Sequence, residues 1–188
     1  MVALTVDDGY FSRNEILDVL IEAGVHATFF IIGRVLVSDA DFVRRAVSEN
    51  FEFGSHTNSH GDLRTKSRSQ IVDEVDRPNQ ILLSIDPSAV AKPYLRPPGG
   101  SWNSGSNQTV ADLGYRHILW NVSGDAGDYS PEGLINLYLR QIDALRDPRG
   151  SIILTHFRKP TLAALPAIIS GLRERGLEPV SLSELFVG

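Results

Sequence analysis

Val2-Ala3-Leu4-Thr5-Val6-Asp7-Asp8-Gly9 reads as a strand that starts at once and ends in two carboxylates and a glycine. Along a strand, neighbouring side chains point to opposite faces. Asp7 and Asp8 therefore cannot do the same job unless the chain turns there, and Gly9 supplies a turn. One metal ligand beside one base is a solution. Residues 1–6 are too short for the basic region and long apolar core of a signal segment. The expectation is either a cytosolic chain or one from which a leader and linker were trimmed.

Outward from this strand, helical and extended patterns alternate. Ser12-x-x-Glu15 has the form of a capping box. Ile16, Leu17, Val19, Leu20 and Ala23 keep helical spacing up to Gly24. Residues 27–32 read as a second strand. Phe42, Val43, Ala46 and Val47 form the stripe of a helix beginning near Ser38. Residues 51–54 read as a strand running into Ser55-His56. A polar helix over 67–84 carries Ile71, Val75 and Leu82 on one face. Tyr94-Leu95-Arg96 is a strand end that Pro97-Pro98-Gly99-Gly100 cannot continue. A helix over 106–113 ends at Gly114, and residues 116–122 read as one strand. Ser130, Pro131 and Glu132 open another helix. Residues 151–155 are a strand, and Leu162, Leu165, Ile169 and Leu172 a helical stripe that Gly176 ends. Pro179-Val180 is a last strand, and Ser181-x-x-Glu184 caps a final turn.

This alternation predicts an α/β fold with a mainly parallel sheet of about seven or eight strands. A barrel, complete or not, fits better than an open dinucleotide-binding sheet, because no Gly-x-Gly-x-x-Gly follows the first strand.

Composition narrows the function. The chain has 188 residues, 42% hydrophobic and 22% charged. That is an ordinary globular balance and predicts one domain, 1–188. It excludes disordered, collagen-like and coiled-coil chains. No apolar run reaches the roughly 18 residues of a membrane span. With 18 Lys and Arg against 23 Asp and Glu the net charge is −5. There is no basic tract, so nucleic acid is not an expected partner. Cysteine is absent, which excludes a disulfide framework, a thiol nucleophile and a Cys-ligated zinc. Nothing calls for more than a monomer.

The polar residues are placed alike. Asp7-Asp8, His56, Arg96, Asp125 with Asp128, and His156 each follow a predicted strand. In a β/α barrel those positions gather at the carboxyl end, where active sites are built. His56-Thr57-Asn58-Ser59-His60 sets two imidazoles at i and i+4, which on a helical turn would share one face and grip one cation. Alone it would be an exposed turn with two solvated histidines. Joined by Asp8 it becomes a divalent metal site that suits zinc, with cobalt or nickel next. Three protein ligands leave a position open for water, as in catalytic sites. Arg96 beside a rigid turn can hold a carboxylate, and taken alone it is an exposed arginine. Taken alone, His156 is a core histidine on a carbonyl, and Trp120 a core residue.

Together the motifs resemble the polysaccharide deacetylases of carbohydrate esterase family 4, the NodB-homology domain. Thr5-Val6-Asp7-Asp8-Gly9 is similar to T-F-D-D-G, and His56-Thr57-Asn58-Ser59-His60 to H-[ST]-x-x-H. Arg96-Pro97-Pro98-Gly99-Gly100 is similar to R-x-P-x-G, and Leu154-Thr155-His156 to L-x-H. The resemblance runs in order from residue 5 to the C-terminus and implies a distorted β/α barrel. It implies Asp8, His56 and His60 as metal ligands, Asp7 as base, Arg96 as the group orienting Asp7, and His156 as acid. It puts Leu154 on an acetyl pocket, and Gly99 and Trp120 among the substrate contacts. The family's fourth motif is an Asp followed by Trp. Asp128-Tyr129 is its nearest match as the partner of His156, with Ser123 and Asp125 competing. Tyr10 stands where Pro is usual, Gly99 where an aromatic is common, and Phe157 where Asp is frequent.

The implied activity is metal-dependent removal of acetyl groups from N-acetylglucosamine residues of chitin oligomers or peptidoglycan. Two alternatives are an O-deacetylase of xylan or hydrolase of a non-sugar C–N bond, and a non-catalytic glycan-binding domain. By resemblance the protein is exported or extracytoplasmic, with a cytoplasmic place the alternative.

Overall fold

A computed structural model describes residues 1–187. In chain order the strands are β1 (Val2–Asp8), β2 (Thr28–Ile31), β3 (Glu52–Ser55), β4 (Tyr94–Leu95), β5 (Arg116–His117), β6 (Val122–Ser123), β7 (Ile152–His156) and β8 (Pro179–Val180). The helices are α1 (Arg13–Glu22), α2 (Gly33–Leu36), α3 (Ala40–Ser48), α4 (Arg68–Ile85), α5 (Ser104–Asp112), α6 (Pro131–Ala144), α7 (Lys159–Glu174) and α8 (Leu182–Val187). The strand order is β5-β4-β3-β2-β1-β7-β6, with β8 beside β1. This is the mainly parallel α/β sheet that the alternation predicts, and its strand order agrees with the distorted (β/α) barrel fold that the resemblance implies. The chain divides into two compact units, Met1–Thr28 with Trp120–Gly188, and Phe29–Leu119.

In the first unit, β1 is covered on both faces. Val2, Ala3, Leu4 and Val6 are wholly buried, as a parallel strand between helical layers requires. Thr5 is buried with them, and a hydroxyl there costs stability unless it is bonded. Its Oγ1 donates to Ile153 O at 2.7 Å, and Thr155 Oγ1 donates to Thr5 O at 3.0 Å. This reciprocal pair pins β1 to β7 in a register that sets Asp7 opposite His156.

In the second unit, β3, β4 and β5 are parallel neighbours. The core is aromatic. Phe29 stacks on Phe51 with ring centroids 5.2 Å apart, and Phe42 of α3 meets Phe53 edge-on at 6.2 Å. Gly54 is required where it stands, because a Cβ there would lie 2.4 Å from the Phe30 ring.

Several local expectations change. Ser12 is left-handed (φ 52°) and makes no side-chain cap, so the capping box there does not form. The box at Ser181 does: Glu184 Oε2 accepts from Ser181 N–H at 2.8 Å, and Ser181 Oγ accepts from Glu184 N–H at 3.3 Å. The helix expected to begin near Ser38 does so, capped by Asp39, whose carboxylate accepts from Phe42 N–H. The single strand read over 116–122 is two pieces. β5 pairs with β4, whereas β6 pairs with β7. Its apolar pattern serves two different neighbours, which no single-strand periodicity can register.

Candidate active site

At the end of β1 the chain turns sharply. Asp8 takes φ 79° and Gly9 φ 94°, the left-handed region that costs a non-glycine residue strain. Arg13 Nη1 holds the turn by donating to Gly9 O at 2.8 Å. Asp7, still in strand geometry, is buried and lies in register with His156. The two adjacent carboxylates thus leave the strand in different directions, as the sequence requires of residues with separate tasks.

His156 ends β7 against a buried carboxylate, and that carboxylate is Asp125. Asp125 Oδ1 lies 2.6 Å from His156 Nδ1, and Oδ2 accepts the His156 backbone N–H at 2.6 Å. Thr161 Oγ1 donates to the same Oδ2 at 2.7 Å, and Arg158 donates to the Asp125 carbonyl. A carboxylate can only accept, so Nδ1 carries the proton and Nε2 is the nitrogen left to exchange one. Burial alone would lower the histidine's pKa. The hydrogen bond and charge of Asp125, with the charges of Asp7 and Asp8, outweigh burial and raise it.

Asp128, expected to partner His156, is corrected here. Its side chain is fully exposed and, among the described residues, its ion pair is with the Arg158 guanidinium, at 3.9 Å. Ser123, the other competitor, has its backbone tied to Gln141, with N–H to Oε1 at 3.2 Å and O to Nε2 at 2.6 Å. The order of the fourth motif favoured Asp128-Tyr129. Side-chain reach from a short β6 strand favours Asp125. Leu154 is buried, and its carbonyl accepts from Tyr138 at 2.8 Å. Trp120 is half-buried.

The second unit carries the two histidines on a loop, not on the helical turn expected. Thr57 (φ 64°) and His60 (φ 62°) are both left-handed. These two reversals bring the rings to 4.9 Å between centroids, doing by loop geometry what helical spacing was expected to do. The His56 ring is fixed: Nδ1 lies 2.8 Å from Arg96 O. A carbonyl only accepts, so Nδ1 is protonated and Nε2 is the ring nitrogen that carries the lone pair, the form in which an imidazole ligates a cation.

A residue that the sequence reading passed over holds this loop. Glu74 of α4 is buried, accepting from Ser59 N–H at 2.8 Å and Ser59 Oγ at 2.5 Å, and pairing with Lys66 at 3.0 Å. Burial would raise its pKa. The Ser59 and Lys66 hydrogen bonds outweigh burial and lower it. Glu74 lies between Ile71 and Val75 on the face that packs inward, and a carboxylate on an apolar stripe is the signal that could have found it.

Arg96 is wholly buried, against the exposed arginine that its sequence alone suggests. Nε donates to Ile118 O at 3.1 Å, and the guanidinium lies 4.2 Å from the Phe30 ring centroid. Beyond it the Pro97-Pro98-Gly99-Gly100 turn is tight, with Gly99 at φ 59° and Gly100 at φ 66°. Gly99 is exposed.

In the second unit His56 and His60 face one another, and in the first unit Asp8 stands at the end of β1. Two imidazoles and a carboxylate, one imidazole already oriented by a carbonyl, fit a divalent ion of the zinc type.

A family model described as polysaccharide deacetylase matches residues 1–118. The chain is 31% identical over 201 residues to a chitooligosaccharide deacetylase of Bradyrhizobium, covering 98% of this chain and 90% of that one. It is 29% identical to a peptidoglycan-N-acetylglucosamine deacetylase of Bacillus cereus, covering 99% and 88%. Among solved structures it is similar to a carbohydrate esterase family 4 pseudoenzyme from Bacillus anthracis, at 27% identity and a TM-score of 0.85. That match covers 98% of this chain but only 64% of the other.

Proposed function

The chain belongs to the polysaccharide deacetylase family, carbohydrate esterase family 4, and from that premise we propose that it is a metal-dependent N-deacetylase. Its substrate is a glycan containing N-acetylglucosamine, a chitin oligomer or peptidoglycan, and residues 1–188 act as one catalytic domain. The observation that carries the reading is the His156–Asp125 pair, set in strand register beside the buried Asp7. A binding domain has no need of a histidine whose pKa is raised beside a second carboxylate. A family that includes a pseudoenzyme makes this site, rather than the fold, the argument for activity.

Asp8, His56 and His60 would hold the metal. A zinc ion bound there supplies Lewis-acid chemistry, polarising the acetyl carbonyl and making water nucleophilic near neutral pH. Asp7 takes the proton of the attacking water as general base, and Arg96 orients Asp7. The Gly99 backbone N–H borders the position of the acetyl oxygen, where charge develops. His156 Nε2 delivers a proton to the sugar nitrogen, which leaves only once protonated. Each acid or base contributes on the order of 10² to 10⁴ in rate. Leu154 bounds the space of the acetyl methyl, and Trp120 forms part of the sugar-facing wall. The protein acts as a monomer outside the cytoplasm, where such polymers lie. No helix of the described residues is long and apolar enough to cross a membrane.

Mass spectrometry of penta-N-acetylchitopentaose and of peptidoglycan fragments, incubated with zinc-loaded protein, tests this. Stepwise loss of acetyl groups, absent in Asp7→Asn and after chelation, is expected. Intact substrates with a zinc-loaded protein would overturn it.

A further inference from the structure

Beside Asp8 the first unit has a hollow of about 370 Å³ that the chemistry above does not use. Its walls include Tyr10, Phe11, Phe157, Lys159 and Pro160, with Asp8 at the edge. Phe157 is buried and forms the floor. Tyr10 and Phe11 are 45% and 64% exposed, with ring centroids 6.5 Å apart at 49°. Two adjacent aromatics held in solvent are not explained by packing, and exposed apolar patches of this kind mark binding surfaces.

We propose that this hollow is a sugar subsite, in which Phe11 and Tyr10 stack against a pyranose ring of the acetylated glycan next to the ring being deacetylated. A pyranose presents an apolar C–H face to an aromatic ring and hydroxyls around its rim. The hollow offers that pairing: aromatic and proline walls for the face, and the exposed Lys159 ammonium as donor to the rim. Asp8, one of the proposed metal ligands, selects the occupant, because it lies at the edge of the hollow. A chain threaded past the reacting sugar places a neighbouring ring here, whereas a single N-acetylglucosamine leaves the hollow empty. The inference rests on the glycan reading and adds a preference for oligomers over monomers.

The test is calorimetric binding of penta-N-acetylchitopentaose and of N-acetylglucosamine to the protein, its Phe11→Ala variant and its Phe11→Tyr variant. Phe11 is exposed, so neither change threatens the core. Phe11→Ala is expected to weaken pentamer binding by about 10-fold, the scale of one aromatic contact. Phe11→Tyr restores that binding, and monomer affinity does not change. Equal pentamer affinity in the protein and in Phe11→Ala, or no pentamer binding at all, overturns the subsite. Acetate release from the same pentamer is read separately. Release with unchanged Phe11→Ala binding removes the subsite and leaves the deacetylase. Weakened Phe11→Ala binding without release by the parent protein leaves the subsite and removes the deacetylase.

Discussion

Asp125 grips His156 twice, with Oδ1 2.6 Å from the ring Nδ1 and Oδ2 2.6 Å from the backbone nitrogen. One carboxylate therefore sets both the position of the imidazole and its protonation. The backbone N–H and the Thr161 hydroxyl hold Oδ2, which fixes the carboxylate and so places Oδ1 where the ring Nδ1–H meets it.

Replacing that carboxylate should change a pH profile. Asp125→Asn removes the charge that holds the His156 pKa up, so the pKa falls. A general acid works while protonated, so the alkaline limb of the rate profile moves to lower pH. The turnover number is expected to drop by about 10²-fold. A pH–rate series reads the limb, and NMR titration of the metal-free protein reads the pKa. The linked stability has the matching sign. A raised folded pKa stabilises the protein fully below the unfolded value of 6.5, and that contribution is lost as pH rises through the folded value.

Asp128→Ala is the contrasting variant. The side chain is exposed and pairs with Arg158. Its loss should alter stability by no more than about 0.5 kcal/mol, with activity within about twofold. Loss of activity comparable with that of Asp125→Asn would return the fourth-motif role to Asp128.

Glu74 should govern metal affinity from a distance. Glu74→Ala leaves Ser59 and Lys66 without their shared acceptor, and loosens the turn that presents His60. Zinc affinity, measured by chelator competition, is expected to fall by about 10- to 100-fold. Glu74→Gln keeps one acceptor oxygen and should lose less.

Gly54→Ala should reach the site through a ring. The new Cβ would lie 2.4 Å from Phe30, and Phe30 must move from beneath the Arg96 guanidinium, 4.2 Å away. Overpacking of this kind costs about 1–3 kcal/mol. Denaturant melts read that loss, and a fall in turnover beyond the loss of folded protein would show the movement reaching Arg96.

Arg96→Lys should not be a mild change. The buried fork donates to the Ile118 carbonyl and sits over the Phe30 ring, and an ammonium cannot make both contacts in the same geometry. If Arg96 orients Asp7 as proposed, a loss of about 10²-fold in turnover is expected, with circular dichroism confirming a folded chain.

Much of this was legible in the sequence. The strand ending in Asp7-Asp8-Gly9 and the apolar run before His156 are short and bounded by polar residues, as buried parallel strands are. Their order, with the two histidines four residues apart and Arg96 before its proline-glycine turn, identified the family. These are local signals, carried by residues adjacent in the chain.

Other features depended on packing. Which carboxylate meets His156 is settled by Asp125 being buried and Asp128 exposed, three residues apart and chemically alike. Glu74 lies in a polar helix whose sequence gives no hint of Ser59, 15 residues earlier. The histidine loop works through two left-handed residues, Thr57 and His60, neither of them glycine, so the sequence did not mark where the chain reverses. The sequence alone determined which chemical groups are present and at which strand ends they lie. Only the tertiary structure decided which of them share a hydrogen bond, because burial and side-chain reach depend on neighbours that the chain brings in from elsewhere.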